Sequence, residues 1–92
     1  MPKYLTEFIG TFFLVLTVGL VVTGGGAPTS VIAIGVMLMC MVYMGGHISG
    51  GHYNPAVTLA ATLAKKMPAK DLIPYWISQV LGGIAGAALA QL

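Results

Sequence analysis

The chain has 92 residues, of which 58% are hydrophobic and 7% charged, with a mean hydropathy of +0.95. A soluble domain carries about a quarter charged residues, so this composition suits lipid rather than water; the alternative is a subunit buried in a soluble complex. Four lysines and no arginine against one Glu and one Asp leave +2, too little for the row of phosphate contacts that a nucleic-acid binder needs.

The opening "MPKYLTEF" has no cluster of positive charge and no small-residue cleavage site follows, so no secretory leader is expected. Residues 4–22, "YLTEFIGTFFLVLTVGLVV", would reach about 28 Å as a helix, close to the hydrocarbon thickness of a bilayer. Glu7 lies three residues into that run, where a carboxylate either serves a purpose or snorkels to the interface. "TGGGAPTS" (23–30) breaks the helix with glycines and Pro28. Residues 31–44 carry no charge and form a second run, with Cys40 as a small apolar filler. A lone cysteine can form no disulfide within the chain.

"GHISGGHYNPAVT" (46–58) then interrupts the apolar pattern. Asn54 is a favoured N-cap, and Pro55 suits the first helical position. The helix that follows, 54–64, would measure only about 16 Å, half a bilayer, before Lys65 and Lys66. The pattern predicts a half-helix starting deep in the membrane, preceded by an irregular segment (45–53) that dips in and must be covered by protein or line a watery cavity. A short helix lying flat at the interface is the alternative. Residues 72–92 form the third run. Tyr75 and Trp76 are expected as interfacial anchors, and Gly82 and Gly86 as a G-x-x-x-G packing face, within one protomer or between protomers. The expected spans are 4–23, 30–45 and 70–92, with the re-entrant loop and half-helix at 46–65. The fold class is all-α membrane protein.

"GHISGGHYNPAVT" resembles the first Asn-Pro-Ala loop of the aquaporins, "LTEFIGTFFLV" the opening of their first span, and "PAKDLIPYWISQVLGGIAGAALA" their third span as it occurs in the bacterial water channels. The likeness covers nearly the whole chain, but only the first of the two inverted repeats of that family. The repeat whose Asn-Pro-Ala is usually followed by an arginine has no counterpart here.

The resemblance implies a role for each marked residue. Asn54, Pro55 and Ala56 would form the pore motif, the Asn54 amide holding a passing water at the positive end of the half-helix. Gly50, Gly51, His52 and Tyr53 would present a ladder of carbonyls. Glu7, His47 and Gln79 would brace the loop. Ile34, Gly51 and Val57 would form the constriction, two of each if two copies make one pore; the alternative is that Ile34 and Val57 are packing residues facing lipid or core. Two histidines five residues apart without a third ligand are weak metal candidates, so hydrogen bonds rather than a metal are expected of His47 and His52, and no cofactor is expected.

Three spans and one half-helix cannot enclose a channel. An inverted counterpart is required, related by an axis in the membrane plane. It would be a second copy of the chain or a complementary half from another chain, with the pores gathered in fourfold assemblies as the resemblance implies. If residues 46–64 enter and leave on the N-terminal side, Lys3, Lys65, Lys66 and Lys70 share one face, favouring a cytoplasmic N-terminus in a prokaryotic inner membrane. The expected function is passive passage of water and small neutral solutes such as glycerol. The rival is a non-conducting structural or modulatory subunit. No enzyme is expected, because His, Cys and carboxylates are too few and scattered to assemble acid, base and nucleophile.

Overall fold

Apolar runs become helices, with Pro2, Pro55 and Pro74 each in a first turn, in a computed structural model of the chain, which describes residues 2–24 and 30–92. Helix α1 (Pro2–Thr23) has 22 residues, about 33 Å of rise. Helix α2 (Ser30–Ser49) has 20, α3 (Pro55–Leu63) nine, and α4 (Leu72–Ala90) 19, the last entered through a 3₁₀ turn at Ala69–Asp71. Among the described residues there is no strand. Three of these segments are long and apolar enough to cross a membrane, and α3 is not. The expected break at Gly25, Gly26 and Pro28 lies outside the described residues.

One boundary differs from expectation. The second helix does not stop at residue 45 but continues through Gly45 and Gly46 to Ser49, its last turn closed by Gly50 N–H donating to the Gly46 carbonyl at 2.9 Å. Interior glycine weakens a helix by only about 1 kcal/mol, and bonded neighbours outweigh it. The irregular segment is therefore short, 50–54.

Helix α1 is the centre of the bundle. Lys3 meets Asp71 at one end of the α1–α4 pair and Gly19 meets Ala90 at the other, so the two run parallel. Gly82 and Gly86 lie directly on the backbone carbonyls of Phe8 and Phe12, so the G-x-x-x-G face is used inside the chain. Any side chain there would collide with backbone, which cannot step aside. Helix α2 returns antiparallel to α1, bringing Gly45 beside Thr6.

The interior is polar. Thr6, Glu7, Thr11, Ser49, Thr58, Asp71 and Gln79 are buried, whereas among the described residues the buried hydrophobic side chains are Tyr53 and Tyr75. Val31, Ile32, Ile77 and Ile84 are more than half exposed. Lipid tails are as apolar as leucine, so membrane helices associate through close packing and hydrogen bonds, and this distribution is the one expected there. Tyr75 corrects the sequence reading. It is not an interfacial anchor but a buried side chain whose hydroxyl donates to the Ser49 carbonyl at 2.6 Å, satisfying an orphan acceptor at the end of α2.

Candidate functional site

Residues 50–54 leave α2 through a segment in which three residues have positive φ. Gly50 has φ +93°, Gly51 +67° and Tyr53 +55°. Glycine occupies the first two at no steric cost, but a tyrosine with positive φ is strained and needs surroundings that hold it.

Those surroundings centre on Glu7, which is completely buried. Its Oε1 accepts from Tyr53 N–H at 2.8 Å and from Gln79 Nε2 at 2.8 Å. Its Oε2 accepts from Ser49 Oγ at 2.6 Å and from His52 N–H at 3.2 Å. Four donors from α2, the loop and α4 converge on one carboxyl of α1, filling the acceptor sites such a group offers. Ser49 Oγ in turn accepts from Gly51 N–H at 3.2 Å.

The Tyr53 ring provides the second hold. It fills the space where side chains at Gly10 of α1 and Gly45 of α2 would stand, and its hydroxyl donates to the Met41 carbonyl at 2.7 Å. Gln79 provides a third, since its amide also donates to Thr58 Oγ1 at 2.8 Å, which stands 3.0 Å from His52 Nδ1. Thr58 Oγ1 donates to the Asn54 carbonyl at 3.2 Å, so α1, α4, the loop and α3 share one polar network. Trp76 Nε1 donates to the Pro55 carbonyl at 3.1 Å, a further tie between α4 and α3.

Asn54 caps α3 as its residue type suggests. In an extended conformation (φ −159°), its Oδ1 accepts from Ala56 N–H at 2.8 Å. Its Nδ2 makes no hydrogen bond among the described residues, and the side chain is exposed together with Pro55, Ala56 and Val57. Likewise, no carbonyl of residues 50–53 accepts a hydrogen bond among the described residues.

Of the residues marked in the sequence, Glu7, Gln79, His52 and Tyr53 meet in one cluster, with Gly50, Gly51, Asn54, Pro55, Ala56 and Val57 on the segment they hold. Two lie elsewhere. His47 is exposed on the last turn of α2 and makes no hydrogen bond among the described residues, so it does not brace the loop. Ile34 is half-buried on α2, far from Gly51. A methyl group at Gly51 would stand 3.5 Å from Val42 Cγ2, and Ile34 is eight residues earlier, about 12 Å further along the helix. Ile34 and Gly51 of one copy therefore sit at different depths. The residues that sequence reasoning missed are Ser49, Thr58, Val42 and the Gly10–Gly45 notch, and Tyr75, expected as an anchor, has another role. Thr58 alone carried a signal, being one helical turn beyond the Asn54 cap.

The major intrinsic protein family model matches residues 1–92. The chain belongs to that family. It is similar to Aquaporin Z of Brucella melitensis, at 47% identity over an alignment taking in 97% of this chain and 42% of that protein. It is also similar to Aquaporin Z of Rhodopseudomonas palustris, at 45% identity over 98% of this chain and 41% of the relative. A third relative is glycerol uptake facilitator protein-like 6 of Lactiplantibacillus plantarum, at 42% identity over 99% of this chain and 43% of the relative. The chain thus spans less than half the length of these relatives. With its apolar spanning helices, this family member is an integral membrane protein of bacterial type.

Proposed function

We propose that the chain is one half of a passive channel for water and small neutral solutes, completed by an inverted counterpart facing the Asn54 end of α3. The observation that carries this reading is the exposed tip of α3. At the positive end of this helix, the Asn54 Nδ2 and a run of carbonyls at 50–53 are held rigidly by buried groups, yet neither has a partner among the described residues. Such groups facing lipid would each cost several kcal/mol, so solvent and a second protein surface must meet them. Two opposed tips would place about half a positive charge each at the pore centre, excluding cations, while the Asn54 amides hold a water oxygen and turn its hydrogens outward.

The depths of Ile34 and Gly51 refine the constriction. A single ring of paired Ile34, Gly51 and Val57 does not fit that spacing. Inversion instead gives two narrow points, one towards each mouth, where Ile34 of one copy faces Val42, Gly51 and Val57 of the other. These are aliphatic and uncharged, which supports passage of glycerol as well as water. The relatives named for water and for glycerol uptake support both solutes. The exposed apolar stripe of α4, from Ile73 through Ile77 to Ile84, is available for packing pores into a fourfold assembly.

Our first reading makes the counterpart a second copy of this chain. The lysines favour a second reading. Lys3 and Lys70 lie with Asp71 at the start of α4, and Lys65 and Lys66 share a cleft with Ala69, so all four gather at one end of the molecule. That asymmetry favours one insertion orientation, and then the counterpart is a different half with the same architecture. Stopped-flow osmotic shrinkage of liposomes containing only the purified chain tests the first reading. Water permeability several-fold above empty liposomes, with glycerol uptake, is expected. Permeability equal to that of empty liposomes refutes self-sufficiency, and water flux with complete glycerol exclusion refutes the solute range.

A further inference from the structure

Helix α3 ends in a way that its sequence did not require. Lys66 N–H donates to the Ala61 carbonyl at 2.8 Å and Lys65 N–H to the Thr62 carbonyl at 3.0 Å, the paired bonds of a Schellman cap. The residue that turns the chain in such a cap adopts a left-handed conformation, and glycine is the usual choice. Here it is Lys65, at φ +60°. Both capping bonds are made by backbone, so a glycine would make them without strain. Only the lysine side chain distinguishes the residue present from the cheaper one, and strain retained at one position points to a use.

The charges around it are one-sided. Glu7 and Asp71 are the only acidic residues in the chain. Glu7 is fully buried among the loop donors. Asp71 is buried and held by Lys3 Nζ at 2.6 Å and Tyr4 Oη at 2.7 Å. Lys65, Lys66 and Lys70 are exposed, and no carboxylate at this end of the molecule is free to pair with them. Lys65 and Lys66 line an open cleft of about 590 Å³ with Thr62, Met67, Pro68 and Ala69. Leu63, which follows the lining residue Thr62 in the chain, is 74% exposed.

We propose that this cleft binds the phosphate of an anionic phospholipid headgroup, gripped by Lys65 and Lys66 with Lys70 alongside. The site lies where the apolar α3 gives way to the turn before α4, the depth of a headgroup layer. Leu63 and Met67 offer apolar contact beside the cations, which a lipid uses and a free phosphate does not. The site is independent of conduction and needs only that the chain span a bilayer.

The test uses the full chain in phosphatidylcholine vesicles carrying trace spin-labelled phosphatidylglycerol or spin-labelled phosphatidylcholine. Phosphatidylglycerol should be enriched at the protein boundary by roughly fivefold over phosphatidylcholine at low salt, and less as salt rises. Lys65→Gly should at least halve that preference while the thermal midpoint stays or rises, because strain is removed with the charge. A lysine that only complements the end of α3 would leave the lipid preference unmoved. Should Lys65→Gly fail to fold, Lys66→Gln carries the same expectation for lipid. No preference in the unmodified chain, or an undiminished one in the folded variants, overturns the proposal. Inorganic phosphate at constant ionic strength should not displace the labelled lipid. Full displacement would assign the cleft to a free anion and also overturn it.

Discussion

The backbone amide of Tyr53 donates to Glu7 Oε1 across 2.8 Å, joining the strained loop to the first helix over 46 positions of sequence. Glu7 accepts at both oxygens and is wholly buried, so it fixes where the loop stops and α3 begins. Glu7→Gln keeps the shape but turns one acceptor into a donor facing donors. A buried unpaired group costs about 1–3 kcal/mol, and this change strands at least one. Thermal unfolding in detergent should show a loss of about that size, and water flux should fall with it.

Tyr53→Phe keeps the ring in its notch and removes only the bond to the Met41 carbonyl. The expected cost is about 1 kcal/mol, with water permeability largely retained. Gly10→Val should do far more, because the ring already occupies the space its side chain needs. That variant should lose the folded loop, seen as greater protease cleavage near residues 50–54.

Gly82→Leu or Gly86→Leu should separate α1 from α4, since the obstacle is the carbonyl of Phe8 or Phe12. Ile84→Leu, on the exposed side of the same helix, should change little. Yield of folded protein and its unfolding midpoint distinguish these outcomes.

Asn54 separates the cap from the amide. Asn54→Asp retains an oxygen for Ala56 N–H but replaces the outward donor with charge, offsetting the positive end of α3. Liposomes carrying it should leak protons or small cations more than the unmodified chain does, as read by an entrapped pH dye. Asn54→Ala should weaken the cap by about 1 kcal/mol.

Much of this architecture is legible in the sequence, because hydrophobic run length and the Asn54–Pro55 start are local signals. The inward carboxylate at Glu7 and the amide at Gln79 stand out as costly residues in apolar helices, and the resemblance suggests that they work together. The end of α2 is misread because clustered glycines normally punctuate chains, and only the tertiary approach of Tyr53 and Thr6 reveals why Gly45 sits inside a helix. His47 looks equivalent to His52 in the sequence, yet it lies exposed on the last turn of α2, whereas His52 sits in the loop against Thr58. Tyr75 beside Trp76 reads as an interfacial pair, and the Ser49 carbonyl that draws it inside lies 26 positions away. The depth difference between Ile34 and Gly51 emerges only once Val42 is seen beside the loop.

The central claim is that the exposed α3 tip meets an inverted counterpart, and in the first reading that counterpart is a second copy of the chain. Replacing the single Cys40 by serine and introducing Ala56→Cys places one thiol on that exposed tip. Treated with a short bifunctional thiol reagent in membranes where the chain conducts water, it should form a covalent dimer, whereas a cysteine at the opposite end, Ala90→Cys, should not. Conducting membranes in which Ala56→Cys yields only uncrosslinked monomer would contradict the account.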